Sequence, residues 1–198
     1  MIAALYVLKD GPYYNLPGVD PWPQERDARL YAGPWAVVAH PPCERWGRFA
    51  TGGMQRAGAF RVGDDGGCFA AGLASVRRFG GILEHPQDSK AWSRFQLVAP
   101  PRSGGWIVAD MHGGWTCRVE QGFYGHVSRK ATWLYAVNCR LPDLRWGFGE
   151  QRLVQRPGLT YLQMRRKGVV HYMTKRQRAE TPAEFRDLLI SIAETANR

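Results

Sequence analysis

Cys43 stands in the chemically richest stretch of the chain, at the end of His40-Pro41-Pro42-Cys43 and ahead of a segment rich in glycine and arginine. Two prolines stiffen the turn that carries the thiol, and the polar segment behind it leaves room for a partner. Glu84, in Ile82-Leu83-Glu84-His85-Pro86, ends a second short apolar run, and Arg129, in Gly125-His126-Val127-Ser128-Arg129-Lys130, precedes a third. A thiol can act as nucleophile, a carboxyl as acid and a guanidinium as anchor, so Cys43, Glu84 and Arg129 form a coherent candidate set. The plainer readings are a buried core thiol for Cys43 and a simple arginine partner for Glu84. His40, His85 and His126 lie beside these clusters without metal-ligand spacing, and no metal is expected. The four cysteines are 22 to 49 residues apart with no C-x-x-C pair, so Cys68, Cys117 and Cys139 read as small buried side chains.

Short elements must position this set. Ile2–Leu8 is an apolar, β-prone run ended by Asp10-Gly11-Pro12, and Trp35–Ala39 is a continuous apolar strand that stops at His40. Residues 44 to 65 hold five glycines and no periodicity, which predicts a long functional loop. Asp65 starts a helix through Phe79, ended by Gly80-Gly81, and Gly81–Glu84 is the next buried strand. A short helix covers Ser89–Phe95, residues 105 to 120 supply alternating strand material, and Thr132–Val137 is a further strand. Near the C-terminus Thr181 caps, Pro182 opens and Glu184 completes a capping box for a helix with Phe185, Leu188, Leu189 and Ile192 on one face. Strands alternating with helices predict an α/β fold with a mostly parallel sheet flanked by helices, and the candidate residues then fall at strand ends.

The 198 residues suit one domain over 1–198, and 44% hydrophobic against 22% charged side chains exclude a disordered chain. No apolar run approaches the ~20 residues that span a bilayer. No basic n-region precedes an apolar stretch, so a cytoplasmic protein with reduced thiols is expected. Residues 140–178 carry eight of the ten net positive charges, with Trp146, Phe148, Tyr161 and Tyr172 interleaved. Arg45, Arg48, Arg56 and Arg61 form a second basic set. Such a pattern marks a polyanion partner, with Arg45, Arg48, Arg56, Arg165, Arg166 and Lys167 as nucleic-acid contacts; a solvated basic face is the alternative.

The order of the three clusters resembles the catalytic region of DNA (cytosine-5)-methyltransferases. Val37-Val38-Ala39-His40-Pro41-Pro42-Cys43 is similar to that family's Pro-Pro-Cys segment. Ile82-Leu83-Glu84-His85-Pro86 stands where the family has Glu-Asn-Val, with only Glu84 identical, and Gly125–Val137 looks like its arginine-bearing segment, with Arg129 in that role. The resemblance covers about residues 35 to 137. It implies an S-adenosylmethionine-dependent, Rossmann-like methyltransferase fold and attack of Cys43 on C6 of a cytosine in DNA. Glu84 then serves ring N3, Arg129 holds the base carbonyl or positions Glu84, and the base leaves its stack to reach the thiol.

The family's Phe-x-Gly-x-Gly donor loop is not reproduced; Tyr6–Tyr13 stands in its place with one glycine and one proline. Asp10, Gly11, Asp20 and Trp22 are the candidate contacts for S-adenosylmethionine. The family's large target-recognition region is also missing, and the basic 140–178 segment has to replace it. Three other readings follow from the same residues. One is C5 modification of a free pyrimidine nucleotide, and another is a nucleic-acid-binding module without a donor. The third takes Pro41-Pro42 as the core of an amino-methyltransferase tetrapeptide, which His40, Cys43 and Glu84 disfavour.

Overall fold

The computed structural model describes residues 1–47, 50–51, 58–149, 163 and 180–196. Their strands are β1 (Ile2–Leu5), β2 (Val19–Trp22), β3 (Ala36–Ala39), β4 (Gly81–Pro86), β5 (Ile107–Val108), β6 (Trp115–Glu120) and β7 (Ala131–Val137). Three α-helices are described: α1 (Cys68–Phe79), α2 (Lys90–Arg94) and α3 (Ala183–Glu194). The strands form one sheet in the order β2-β1-β3-β4-β7-β6-β5.

The expected mostly parallel, Rossmann-like methyltransferase sheet flanked by helices is not what forms. β2, β1, β3 and β4 pair in parallel, but β4–β7, β7–β6 and β6–β5 are antiparallel. The two longest ladders are antiparallel, with six residue pairs each for β4–β7 and β6–β7. The physical reason lies in the connections. Parallel neighbours need a crossover of a dozen or more residues, usually a helix. Between β6 and β7 only residues 121–130 are available, and between β5 and β6 only 109–114, so each strand turns straight back.

Local signals set several elements. Asp65 accepts hydrogen bonds from the Gly67 and Phe69 amides (2.9 and 2.8 Å) and so tethers the start of α1, although the helix itself begins at Cys68. Ser89 caps α2 through the Ala91 amide. The expected Thr181 cap does not form: α3 has Pro182 at its N-cap with no side-chain cap bond. β1 is shorter than the apolar run, because Tyr6 turns into the left-handed region (φ 61°).

The core lies on both faces of the sheet. On one face Phe69 of α1 packs against Trp46, His85, Trp92 and Phe95 with ring centroids 5.0 to 5.9 Å apart. On the other, Phe185, Leu189 and Ile192 of α3 cover Ala4, Val38 and Ile82. Among the described residues no helix is long and apolar enough to cross a membrane.

β3 and β4 approach each other at Gly81, whose φ is +125° and where a Cβ would lie 2.0 Å from the Val37 carbonyl oxygen. A side chain there must push apart the two strands that carry Cys43 and Glu84. Gly81→Ala should therefore cost on the order of 3 kcal/mol or more, a Tm loss of at least about 6 °C in a chain of this size. Thermal unfolding followed by circular dichroism checks this; an unchanged Tm would contradict the close approach.

Candidate active site

The parallel half of the sheet brings the carboxyl ends of β1, β3 and β4 to one edge, and the antiparallel half returns the end of β6 and the start of β7 to the same edge. Glu84 lies at the centre. Its Oε2 accepts from His40 Nδ1 at 3.1 Å and its Oε1 from Gln121 Nε2 at 3.1 Å. His40 Nε2 meets the Tyr13 hydroxyl at 2.7 Å. With Nδ1–H facing the carboxylate, Nε2 accepts the Tyr13 O–H in the neutral ring and donates to it in the imidazolium. Gln121 Nε2 also donates to Thr132 Oγ1 (2.9 Å), whose hydroxyl donates to the Lys130 carbonyl (3.0 Å). The buried Gln121 Oε1 has no hydrogen-bond partner among the described residues.

Burial by itself pushes the Glu84 carboxyl up, but the His40 hydrogen bond and the nearby charges of His40 and Lys130 outweigh it and bring the pKa down to about 2. Glu84 is therefore a carboxylate at neutral pH. Cys43, three residues beyond the His40 that holds Glu84, is exposed as a residue. The protein mass around its sulfur still disfavours the thiolate and raises the pKa, Glu84 and Glu44 raise it further, and Lys130 opposes them. Burial lowers the pKa of Lys130, while the negative charges of Glu84 and Glu180, and of Cys43 when ionised, pull it back up; its Nζ donates to the Glu180 carbonyl. At rest the site thus holds a protonated thiol, an ionised carboxylate and a lysine coupled to both.

Glu84 lies within β4, and Cys43 follows the Pro41-Pro42 turn four residues beyond the end of the neighbouring β3, near enough for the Glu84 charge to raise the thiol pKa. Arg129 does not join them. Its Nε donates to the Gly149 carbonyl at 3.1 Å, and its guanidinium lies 3.9 Å from Glu120 and 5.2 Å from the Phe148 ring centroid. The cation beside Glu84 is its neighbour Lys130, whose left-handed backbone (φ 40°) turns it elsewhere.

The expected donor contacts are dispersed. Asp10 is exposed in the loop after β1, and the Gly11 amide donates back to the Leu8 carbonyl (3.1 Å). Asp20 accepts from Trp22 Nε1 (2.8 Å) and from Arg26 (2.5 and 3.3 Å). The Arg26 guanidinium also lies 4.0 Å over the Trp22 ring. Arg45 stacks 3.6 Å over Phe60. Arg48, Arg56, Arg165, Arg166 and Lys167 lie outside the described residues, as does most of the basic 140–178 segment.

The three histidines have separate duties. His85 is buried, 2.7 Å from Ser89 Oγ through Nδ1, and burial lowers its pKa to about 4 against the weaker upward pull of Glu84. His126 Nδ1 receives the Ser128 amide at 3.0 Å. Among the described residues no group of three His, Cys, Asp or Glu side chains is placed to hold a metal ion. A cleft of about 330 Å³ between the Tyr124–Val127 turn and the start of α3 is lined by neither Cys43 nor Glu84.

Tyr13 and Gln121 are the site residues that sequence reasoning missed. Gln121 had one usable signal, its position directly after the buried strand ending in Glu120; Tyr13 had none. Comparison with protein-family models, curated proteins and solved structures finds no match for this chain.

Two expectations follow from the charges. Glu84→Gln removes a negative charge that disfavours the Cys43 thiolate, so alkylation of Cys43 by iodoacetamide at pH 8 should speed up roughly three-fold or more. Peptide mass mapping reads the site, and slower alkylation would contradict the coupling.

Stability should also fall in acid, in two steps. His85, whose pKa drops from 6.5 to about 4 on folding, contributes stability that is present above pH 6.5 and lost as the pH falls through 4. Glu84, lowered from 4.5 to about 2, adds a contribution present above pH 4.5 and lost as the pH falls toward 2. Tm measured against pH should be flat near neutrality and decline below about 6.5; His85→Asn, from a lower baseline, should remove the upper part of that decline.

Proposed function

We propose that this chain modifies C5 of a pyrimidine in DNA through a covalent adduct between Cys43 and C6. The observation that carries the reading is the Glu84 carboxylate clamped by His40 and Gln121, with Cys43 on the Pro41-Pro42 turn three residues beyond His40. C5 of cytosine is a weak nucleophile. Addition of the Cys43 sulfur to C6 breaks the C5–C6 double bond and moves its electron pair into the ring, which makes C5 enamine-like. The thiolate gains from the positive charge of Lys130.

Glu84 holds the N3 edge of the ring. A carboxylate with a pKa of about 2 is an acceptor, so the proton that N3 takes up in the adduct is shared with His40 across the Nδ1–Oε2 contact. In the addition the Cys43 S–H proton is the one that N3 takes up. Once C5 has reacted with an electrophile, the C5 proton leaves to solvent water and the C6–S bond breaks to restore the C5–C6 double bond. The N3 proton then returns to the sulfur as the thiol. The base reaches Cys43 by leaving its stack or by belonging to a single strand.

S-adenosylmethionine is the electrophile that the family resemblance implies. The residues expected to receive it do not fit: the Asp20 carboxylate is already taken by Arg26 and Trp22, and the Gly11 amide is bonded back to the Leu8 carbonyl. No step is therefore derived through that donor.

Cys43 addition has a signature that needs no donor, exchange of the C5 hydrogen with solvent. In deuterated water the protein should place deuterium at C5 of cytosine in DNA, read by nucleoside mass spectrometry. Cys43→Ala should abolish the exchange, and Glu84→Gln should slow it about 100-fold or more. Exchange in the free nucleotide alone would move the substrate from DNA to the nucleotide pool. Exchange in neither, or exchange that survives Cys43→Ala, would overturn covalent catalysis in favour of a nucleic-acid-binding module.

A further inference from the structure

Phe148 is 67% exposed, and the backbone on both sides of it is fixed. The Gly147 carbonyl accepts from Arg118 Nη1 (3.0 Å), the Gly149 amide donates to Glu120 Oε2 (2.7 Å), and the Gly149 carbonyl accepts from Arg129 Nε (3.1 Å). Arg118 and Glu120 are themselves a hydrogen-bonded ion pair with side chains only 4% and 2% exposed. A buried ion pair gives little net stability, so its use to anchor a short surface segment calls for a reason beyond stability. That segment could have turned its ring inward. Instead the ring stands in solvent, with the guanidinium carbons of Arg118 and Arg129 each 5.2 Å from its centroid.

We propose that Phe148 is a stacking platform for a base of single-stranded DNA, with Arg129 placed for the adjoining phosphate. The proposal rests on the nucleic-acid reading above and names a second contact beside the same site. Position supports it: Glu120, which holds Gly149, is followed directly by Gln121, which holds Glu84. Charge supports it as well. Glu120, which holds Gly149, is shared by Arg118 and Arg129, two cations to one carboxylate, and the Arg129 side chain is 46% exposed. A rigid aromatic face with a cation at its side suits a base and its phosphate, because every base offers a π-face. It also gives the expected Arg129 a different duty: Arg129 binds the strand rather than the reacting base.

The test is binding of a fluorescein-labelled thymidine strand of about twelve nucleotides, followed by anisotropy, against an abasic strand of equal length. Phe148→Ala should weaken binding to the thymidine strand about ten-fold and leave the abasic strand unchanged. Phe148→Trp should restore it, and Arg129→Ala should reduce the slope of log affinity against log salt by about 0.7. Unaltered unfolding midpoints should accompany both Phe148 variants, since the ring is exposed. Equal binding by Phe148→Ala, or an equal loss on both strands, would overturn the platform while leaving the Cys43 chemistry standing. Binding of neither strand by the wild-type protein would remove the nucleic-acid reading and the platform with it. C5 exchange that fails while the Phe148-dependent binding persists would remove only the covalent chemistry.

Discussion

A carboxylate with 12% of its side chain exposed must be compensated where it stands, and at Glu84 that requirement organises one whole edge of the sheet. His40 reaches it from beyond β3, Gln121 from beyond β6, and Lys130 acts on it from the residue before β7. Tyr13, in the loop after β1, orders His40 from the far side. The elements that meet at this edge are thus held by one charge as well as by the packing beneath it. Loss of any single partner leaves the carboxylate under-compensated and loosens the others.

The mixed sheet makes this convergence possible. Parallel β1, β3 and β4 deliver their carboxyl ends, and with them the turns that hold Tyr13, His40 and Cys43, to a common edge. Because β7 runs antiparallel to β4, its first residues lie beside the last residues of β4, with Thr132 opposite Pro86. A parallel β7 would have carried Lys130 and Thr132 to the opposite edge. The reversal of β7 is therefore what supplies the cation of the site, whereas Gln121 arrives at the carboxyl end of β6, which runs in the direction of β4.

The resting charges also define what the site has to overcome. An ionised Glu84 beside a protonated Cys43 stabilises a closed hydrogen-bonded network but not a ready nucleophile. The neighbouring histidine is kept out of this network. His85 faces the Phe69 and Trp92 rings and stays neutral through burial, so two adjacent residues of β4 serve opposite purposes on opposite faces of the sheet.

By itself the sequence determined what depends on near neighbours. The glycine pair after α1, the Ser89 cap, the apolar strand ending before His40, and the Phe185, Leu189 and Ile192 face of α3 all follow from local propensity and periodicity, whereas β4 runs past Glu84 to Pro86. That Cys43 and Glu84 belong to consecutive segments was legible for the same reason, since one follows the apolar run of β3 and the other stands in that of β4. Only the tertiary structure decided the direction of β7 and β6, because strand propensity is the same whichever way a strand runs. It alone brought Tyr13 to His40 across 27 residues and Gln121 to Glu84 across 37. It also chose Lys130 over Arg129. Adjacent cations are equivalent in a sequence, and the left-handed turn at Lys130 and the fixed Gly147–Gly149 segment separate them in space.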